Sequence, residues 1–287
     1  MSEVAALAPL PRVMTEPVVH AALLEDLGLA GDLTTEATVP VGLMARAALV
    51  AHEEGVIAGL DAVRLAFELI DPAIEMKIDR PDGARVTPGE TIAHIAGPAR
   101  GILTAERVAL NFLGHLSGIA SATASIVAAI EGTKTKIVCT RKTTPGLRAL
   151  EKYAVRAGGG SNHRFGLDDA MLIKDNHIAA AGGITSAIRR ARRRAGHLVK
   201  IEIEVEDLAQ LEEALREGPD AVLLDNMTLE MLAKAVALVG GRAITEASGR
   251  VTPQAAPAIA ATGVNLLSVG WLTHSAPVLD IGLDFEA

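Results

Sequence analysis

Residues 136–270 predict an α/β barrel of parallel strands, and three observations carry that prediction. Six short, apolar, β-rich runs recur, at 136–140, 170–176, 199–205, 221–226, 243–248 and 265–270. Amphipathic stretches that close on glycine separate most of them, the pattern of strand–helix repeats with short loops and hence of a parallel sheet. Each run also ends in polar side chains: Thr140-Arg141-Lys142, Lys174-Asp175-Asn176, Glu204 and Glu206, Asp225-Asn226, Glu246-Ala247-Ser248, and Ser268 with Gly270. A barrel brings six such ends to one rim, whereas an open doubly wound sheet leaves its outer strands too far apart to cooperate. Strands end at the surface in any protein, so one polar end means nothing. Six in register, with charges of both signs, favour a shared site.

The elements follow in order. Residues 1–115 mix short helices with β-like pieces, ARAALVAHEEGVIAGL and AIEMKIDRPDGARVTPGETIAHIAG, punctuated by the turn dipeptides Asp82-Gly83 and Pro88-Gly89. This reads as a small antiparallel sheet with helices. Residues 104–130 have helical periodicity interrupted at Gly114 and Gly118, and are expected to link two domains. Pro145 stands where a proline opens a helix, ahead of GLRALEKYAVRAG. ITSAIRRARRRAG, EDLAQLEEALREG, MTLEMLAKAVALVGG and RVTPQAAPAIAATG fill the remaining helical slots.

Composition narrows the ligand. The chain has 287 residues, 49% hydrophobic but only 2% aromatic, so its core is built from Ala, Val, Leu and Ile. A net charge of −8 argues against nucleic acid and against anionic membrane surfaces as partners. The single cysteine, Cys139, excludes an internal disulfide and a cysteine zinc cage, and fits a reducing cytoplasm. No signal peptide is read at the N-terminus, and no apolar run reaches the ~18 residues of a membrane span. Yet Arg141 to His177 holds seven Lys/Arg against four acids, which leaves the rest of the chain at −11. A local positive field in an acidic protein suits a small anion.

The candidate groups sort by charge. Arg141, Lys142, His163, Arg164 and Lys174 are donors suited to carboxylates and phosphates, Arg as a planar fork and Lys as a point charge. Glu204 and Asp225 are hard oxygen donors suited to Mg²⁺ or to sugar hydroxyls. SGRVT (248–252) and SVGWLTHS (268–275) place glycine and hydroxyls where strand gives way to helix, a setting in which backbone N–H groups hold phosphate. GGGSNHR (158–164) cannot be a helix interior, because successive glycines cost about 1 kcal/mol each. It suits close approach to a ligand, or a flap carrying His163 and Arg164 over an anion. Lys174 interrupts an apolar strand, where an unpaired ammonium is expensive to bury. The run RRARRR (189–194) reads as a solvated helix face, Asp168-Asp169 as caps, and His20, His52, His94, His115 and His197 lack metal-ligand spacing.

TRKTTPGLRALEKYAVRAGGGSNHRFGLDDAMLIKDNHI (140–178) resembles the signature block of the quinolinate phosphoribosyltransferases. EDLGLAGDLTTEATVP (25–40), GILTAERVALNFLGHLSGIAS (101–121), LLDN (223–226) and SVGWLTHSAPVLDIGLD (268–284) are similar to the family's other blocks, in the same order. The resemblance implies an N-terminal α/β sandwich domain over 1–115 and an incomplete, open α/β barrel of about six to seven parallel strands over 116–272. A tail, 273–287, is expected to return to the N-terminal domain. The resemblance also implies a cytoplasmic homodimer with sites between subunits. The implied reaction converts quinolinate and 5-phosphoribosyl 1-pyrophosphate, with Mg²⁺, into nicotinate mononucleotide, pyrophosphate and CO₂.

Residue by residue, Arg141, His163, Arg164 and Lys174 match positions that hold the quinolinate carboxylates. Lys142 matches one near the substrates' anionic groups, and Glu204 and Asp225 match acids near the ribose and metal. Ser248, Gly249, Gly270 and His274 match the region holding the 5-phosphate, and Arg107 an arginine supplied to the partner's site. Lys142, Glu204 and Asp225 are the implied catalytic set. Trp271 departs from the family, which often has a small residue there; an indole facing the mouth would narrow the phosphate pocket. Three alternatives stay open: the same fold acting on another substrate such as nicotinate, an aldolase-like barrel with a Schiff base on Lys174, and a binding protein. The intact GGGSNHR and LIKDNHI favour quinolinate, since a dicarboxylate needs more cations than a monocarboxylate.

Overall fold

Asp32 shows how local chemistry starts the fold. In the computed structural model, which describes residues 7–285, helix α1 (Arg12–Leu27) is followed by the short α2 (Leu33–Thr38). The Asp32 carboxylate caps α2 by accepting the Thr35 N–H at 2.9 Å, and its second oxygen accepts the Thr104 hydroxyl at 3.0 Å. Strands β1 (Met44–Ala51) and β2 (Gly55–Val56), helix α3 (Leu60–Ile70), and strands β3 (Glu75–Ile78), β4 (Arg85–Val86) and β5 (Thr91–Pro98) come next, then α4 (Ala99–Ala129).

By contacts the chain forms two units: 1–124 with 143–159 and 272–287, and 125–142 with 160–271. The first holds a four-stranded antiparallel sheet in the order β12-β1-β5-β3, where β12 is Ile281–Phe285, and the two-stranded β2-β4. Helix α5 (Arg148–Ala157) packs in this first unit, not with the parallel strands that flank it in sequence. Its buried Tyr153 hydroxyl donates to Asp82 at 2.7 Å. Its fully buried Glu151 meets His115 Nε2 at 3.0 Å and accepts the Thr144 N–H at 3.1 Å. Pro145 lies before α5, in a turn closed by Leu147 N–H to the Thr144 carbonyl at 3.0 Å, not at the helix's first position.

Gly114 and Gly118 do not interrupt α4, which runs unbroken for 31 residues. They are there because the returning tail crosses the helix closely. A Cβ on Gly118 would lie 2.0 Å from the Pro277 carbonyl oxygen, and one on Gly114 would lie 2.8 Å from Val278 Cγ1. Contrary to the sequence expectation, α4 is long and apolar enough to cross a membrane by length and composition. However, 61% of its most apolar stretch is buried inside the protein, as in a core helix.

All six expected parallel strands form in the second unit. They are β6 (Lys136–Val138), β7 (Met171–Ile173), β8 (Ile201–Val205), β9 (Ala221–Asp225), β10 (Ile244–Ser248) and β11 (Leu266–Ser268). Helices α6 (Asp175–Ala181), α7 (Ile184–Arg194), α8 (Leu208–Arg216), α9 (Leu229–Val239) and α10 (Ala256–Ala260) connect them. Sheet order is β6-β11-β10-β9-β8-β7. The first strand pairs with the last, as barrel closure requires, while β6 and β7 share no ladder, so the barrel is open there. A single bridge from Val138 to Ser161 lies beside the gap. The arginine run stays at the surface: Arg189 grips Glu217 with two hydrogen bonds of 2.8 Å, and Arg192 donates to the Glu217 carbonyl at the end of α8.

Candidate active site

Paired residues of a parallel ladder point to one face and alternate residues to opposite faces. Leu172 pairs with Glu202, Glu204 with Leu223, Leu223 with Glu246, Asp225 with Ser248, and Glu246 with Leu266. One face therefore carries Glu202, Glu204, Asp225, Glu246, Ser248 and Ser268. The other carries Ile201, Ile203, Val205, Val222, Leu224, Ala247 and Leu267, none more than 3% exposed. The helices cover the apolar face, so the reactive groups share the inner one.

The glycine-rich segment reaches this face without being a loose flap. Gly158 is required because a Cβ would sit 2.2 Å from the Ala120 carbonyl oxygen, and Gly159 because its φ is +84°. Beyond them, the Ser161 N–H donates to the Ile137 carbonyl at 2.8 Å and the Cys139 N–H to the Ser161 carbonyl at 3.2 Å. Asp169 accepts the N–H groups of Phe165 and Gly166 at 2.6 and 3.0 Å. Burial pushes the Asp169 carboxyl up, but those two bonds, one from its own N–H and the charge of Arg164 together hold the pKa below the usual range. The Arg164 guanidinium donates to the Ala170 carbonyl at 3.1 Å. Its pKa is lowered by burial first and by repulsion from Arg141 second, with Asp169 and Glu202 opposing. Arg141, Arg164 and Glu202 thus share one local field.

Lys174 is not a buried cation in a strand. It follows β7 at the start of α6, where its N–H donates to His177 Nδ1 at 2.9 Å. Its half-exposed ammonium lies 2.6 Å from Glu204 Oε2. Deeper in, the His163 ring lies between acids. Its Nε2 is 3.0 Å from Glu202 Oε2 and 3.5 Å from Glu246 Oε2, and its Nδ1 accepts the Arg164 N–H at 2.7 Å. Neither Glu246 carboxylate oxygen has a hydrogen-bond partner, and that side chain is 1% exposed. Burial, then repulsion from Glu202, pushes the Glu246 carboxyl up to about 7. His163, the Ser268 hydroxyl and Lys174 pull the other way. The Ser268 hydroxyl itself donates to the Ala247 carbonyl at 3.3 Å.

The ends of β9 and β10 border a cavity of about 530 Å³ lined by Asn226, Ser248, Gly249 and Arg250 among others. Asn226 has φ +51°, alone among the described non-glycine residues in being positive, and its side-chain amide donates to Asp225 at 2.7 Å. Gly249 has φ +146°, and a Cβ there would lie 3.1 Å from Asn226 Oδ1. The Trp271 indole N–H donates to the Val251 carbonyl at 2.8 Å, which fixes the ring to the loop after Gly249. Gly270 gives room to the Lys142 stem, since a Cβ would meet Lys142 Cδ at 3.0 Å.

Arg141, Lys142, His163, Arg164, Lys174, Glu204, Asp225, Ser248, Gly249 and Gly270 all belong to the second unit. Arg107 and His274 belong to the first, where both are exposed, His274 Nδ1 lying 2.6 Å from the Ser275 hydroxyl. Sequence reasoning passes over Glu202, although IEIEV sets two glutamates opposite a row of apolar residues. It notes Glu246 without giving it a role. Among the described residues, the trio whose metal-capable atoms come within 4.8 Å of one another is His163, Glu202 and Glu246.

Comparison with known proteins agrees over the whole fold. The profile of the quinolinate phosphoribosyl transferase N-terminal domain matches residues 32–117, and that of the C-terminal domain residues 119–284. The nicotinate-nucleotide pyrophosphorylase (carboxylating) of Mycobacterium leprae is 47% identical over 271 residues, 93% of this chain and 95% of that protein. The probable enzyme of the same name from Bacillus subtilis is 46% identical over 261 residues, 91% of this chain and 90% of its own. The crystal structure of NadC from Streptococcus pyogenes superposes with a TM-score of 0.93 at 43% identity, covering 98% of this chain and 100% of that one. With both domain profiles matched and relatives this similar along nearly their full length, the chain belongs to the quinolinate phosphoribosyltransferase family.

Proposed function

We infer that the chain transfers the phosphoribosyl group of 5-phosphoribosyl 1-pyrophosphate to quinolinate, with decarboxylation to nicotinate mononucleotide, in NAD synthesis. The observation that supports the chemistry is the Lys174–Glu204 pair on the inner sheet face that also bears Asp225, together with Arg141 and Glu202 acting electrostatically on Arg164. Quinolinate is a dianion, and the two arginines with Lys174 supply matching charge. Lys174 is held by Glu204, so the arriving carboxylate competes with Glu204 for the ammonium. The cavity beside Ser248 and Gly249 suits the 5-phosphate, and Gly270 gives room to the Lys142 stem.

The pyridine nitrogen lone pair attacks the anomeric carbon as the bond to pyrophosphate breaks and its electron pair leaves with pyrophosphate. Glu204 and Asp225 are suited to stabilise the oxocarbenium character that develops between the two events. The ring nitrogen is then cationic. The bond from C2 to its carboxylate breaks, CO₂ departs, and the electron pair left beside the positive nitrogen takes a proton.

Glu204 and Asp225 also fit Mg²⁺ in donor type, as the one or two carboxylates that accompany substrate phosphates. Bound there, the ion would neutralise diphosphate charge. A homodimer in which Arg107 serves the partner's site, and a cytoplasmic location in keeping with the reduced, buried Cys139, complete the reading. A Schiff base on Lys174 is disfavoured, because its Nζ is already engaged by Glu204 Oε2 at 2.6 Å.

Release of CO₂ from carboxyl-labelled quinolinate, with the ribosyl donor and Mg²⁺, tests the function. No release, or equal use of nicotinate as acceptor, refutes it.

A further inference from the structure

We propose that Glu202 is a positioning residue for quinolinate: it holds the His163 imidazole, which holds the backbone of Arg164 and so aims its guanidinium. The proposal rests on the reading above that Arg164 binds a quinolinate carboxylate.

The geometry is a relay of hydrogen bonds. Arg164 N–H donates to His163 Nδ1 at 2.7 Å, so Nδ1 carries no proton. A neutral imidazole then keeps its proton on Nε2, and Nε2 faces Glu202 Oε2 at 3.0 Å and Glu246 Oε2 at 3.5 Å. Both ring nitrogens are thus engaged within the protein. His163 is better placed to orient its neighbour than to meet the substrate itself. The same protonation separates the cluster from a metal centre, because a protonated Nε2 has no lone pair to give an ion.

Burial makes the relay hard to replace. His163, Glu202 and Glu246 side chains are 13%, 11% and 1% exposed, so water is a poor substitute partner. Glu202 and Glu246 stand on β8 and β10, inside the ladder, whereas His163 and Arg164 stand on a connecting segment. The relay therefore references Arg164 to the sheet as well as to its own loop. Glu202 also acts on the Arg164 guanidinium through its charge.

Initial rates with each substrate varied in turn test the proposal. Glu202→Ala is expected to lower kcat/KM for quinolinate about tenfold to a hundredfold, the cost of misplacing a binding group by about an ångström, while KM for the ribosyl donor changes less than about twofold. Glu202→Gln keeps an acceptor oxygen and should restore most of the loss. Equal losses for both substrates, or a folded Glu202→Ala with unchanged quinolinate kinetics, overturn the proposal. Nitrogen-15 NMR of the wild-type His163 ring gives a reading independent of variant folding: the Nε2–H tautomer is expected, and the Nδ1–H tautomer overturns it. Arg164→Ala separates the inference from the site reading. If Arg164→Ala loses quinolinate affinity and Glu202→Ala does not, the inference fails and the site stands; if Arg164→Ala binds quinolinate normally, both fall.

Discussion

Glu246→Gln removes a carboxyl that folding makes uncomfortable, and its effect on stability depends on pH. The side chain is 1% exposed with both oxygens unbonded, and burial followed by repulsion from Glu202 pushes its pKa from 4.5 up to about 7. An acid with a raised pKa keeps its proton in the folded state at a pH where the unfolded chain has released it. Its penalty is absent below about pH 4.5, grows as pH rises to about 7, and is constant above that. The shift corresponds to on the order of 3 kcal/mol at pH 8. Gln has nearly the same shape and no charge. Relative to wild type, the variant should be more stable at pH 8 than at pH 5 by that amount, or roughly 6–12 °C in melting temperature for a chain of this size. Thermal melts of both proteins at the two pH values measure the difference. A Glu246→Gln minus wild-type gap that is the same at pH 5 and pH 8 would falsify this account of the buried acid.

Three further outcomes follow from other contacts. Gly118→Ala drives a methyl to 2.0 Å from the Pro277 carbonyl oxygen, so denaturant unfolding should show a loss of about 1–3 kcal/mol; a neutral result would mean that the tail is not fixed there. Trp271→Phe keeps the ring but loses the donor to the Val251 carbonyl, and should raise KM for the ribosyl donor about threefold to tenfold with quinolinate kinetics unchanged; a change confined to quinolinate would contradict the assignment of that loop. Arg107→Ala and Lys142→Ala should each be nearly inactive, yet recover up to about a quarter of wild-type activity when mixed and reassociated, because one site of each mixed dimer is intact; no recovery argues against sharing between subunits.

Strand placement was legible because it depends on local runs. β-branched and aliphatic clusters marked all six parallel strands, though β6, β7 and β11 shrink to three residues each. The inner face was legible too, since period-two alternation sets Glu202 and Glu204 apart from Ile201, Ile203 and Val205. What escaped depends on contacts distant in sequence. Nothing near Gly114 or Gly118 announces a tail crossing over α4, so they read as breaks. The triple glycine suggested ligand approach, yet Gly158 answers to the Ala120 carbonyl and Gly159 to a left-handed turn. Pairing of His163 with Glu202 and Glu246 brings a loop residue onto two strands, and no spacing rule announces it. The same holds for α5, whose helical pattern is plain but whose partner is the first unit.

Strand β12 completes the antiparallel sheet by lying along β1. Every element of the parallel sheet is translated between the two. On the ribosome, therefore, β1 has one ladder edge with no mate until all six parallel strands have emerged, and an uncovered edge invites pairing with other chains. Completion of the antiparallel sheet in this way follows synthesis of the parallel one, and a nascent chain stalled ahead of Ile281 would carry an adhesive rim.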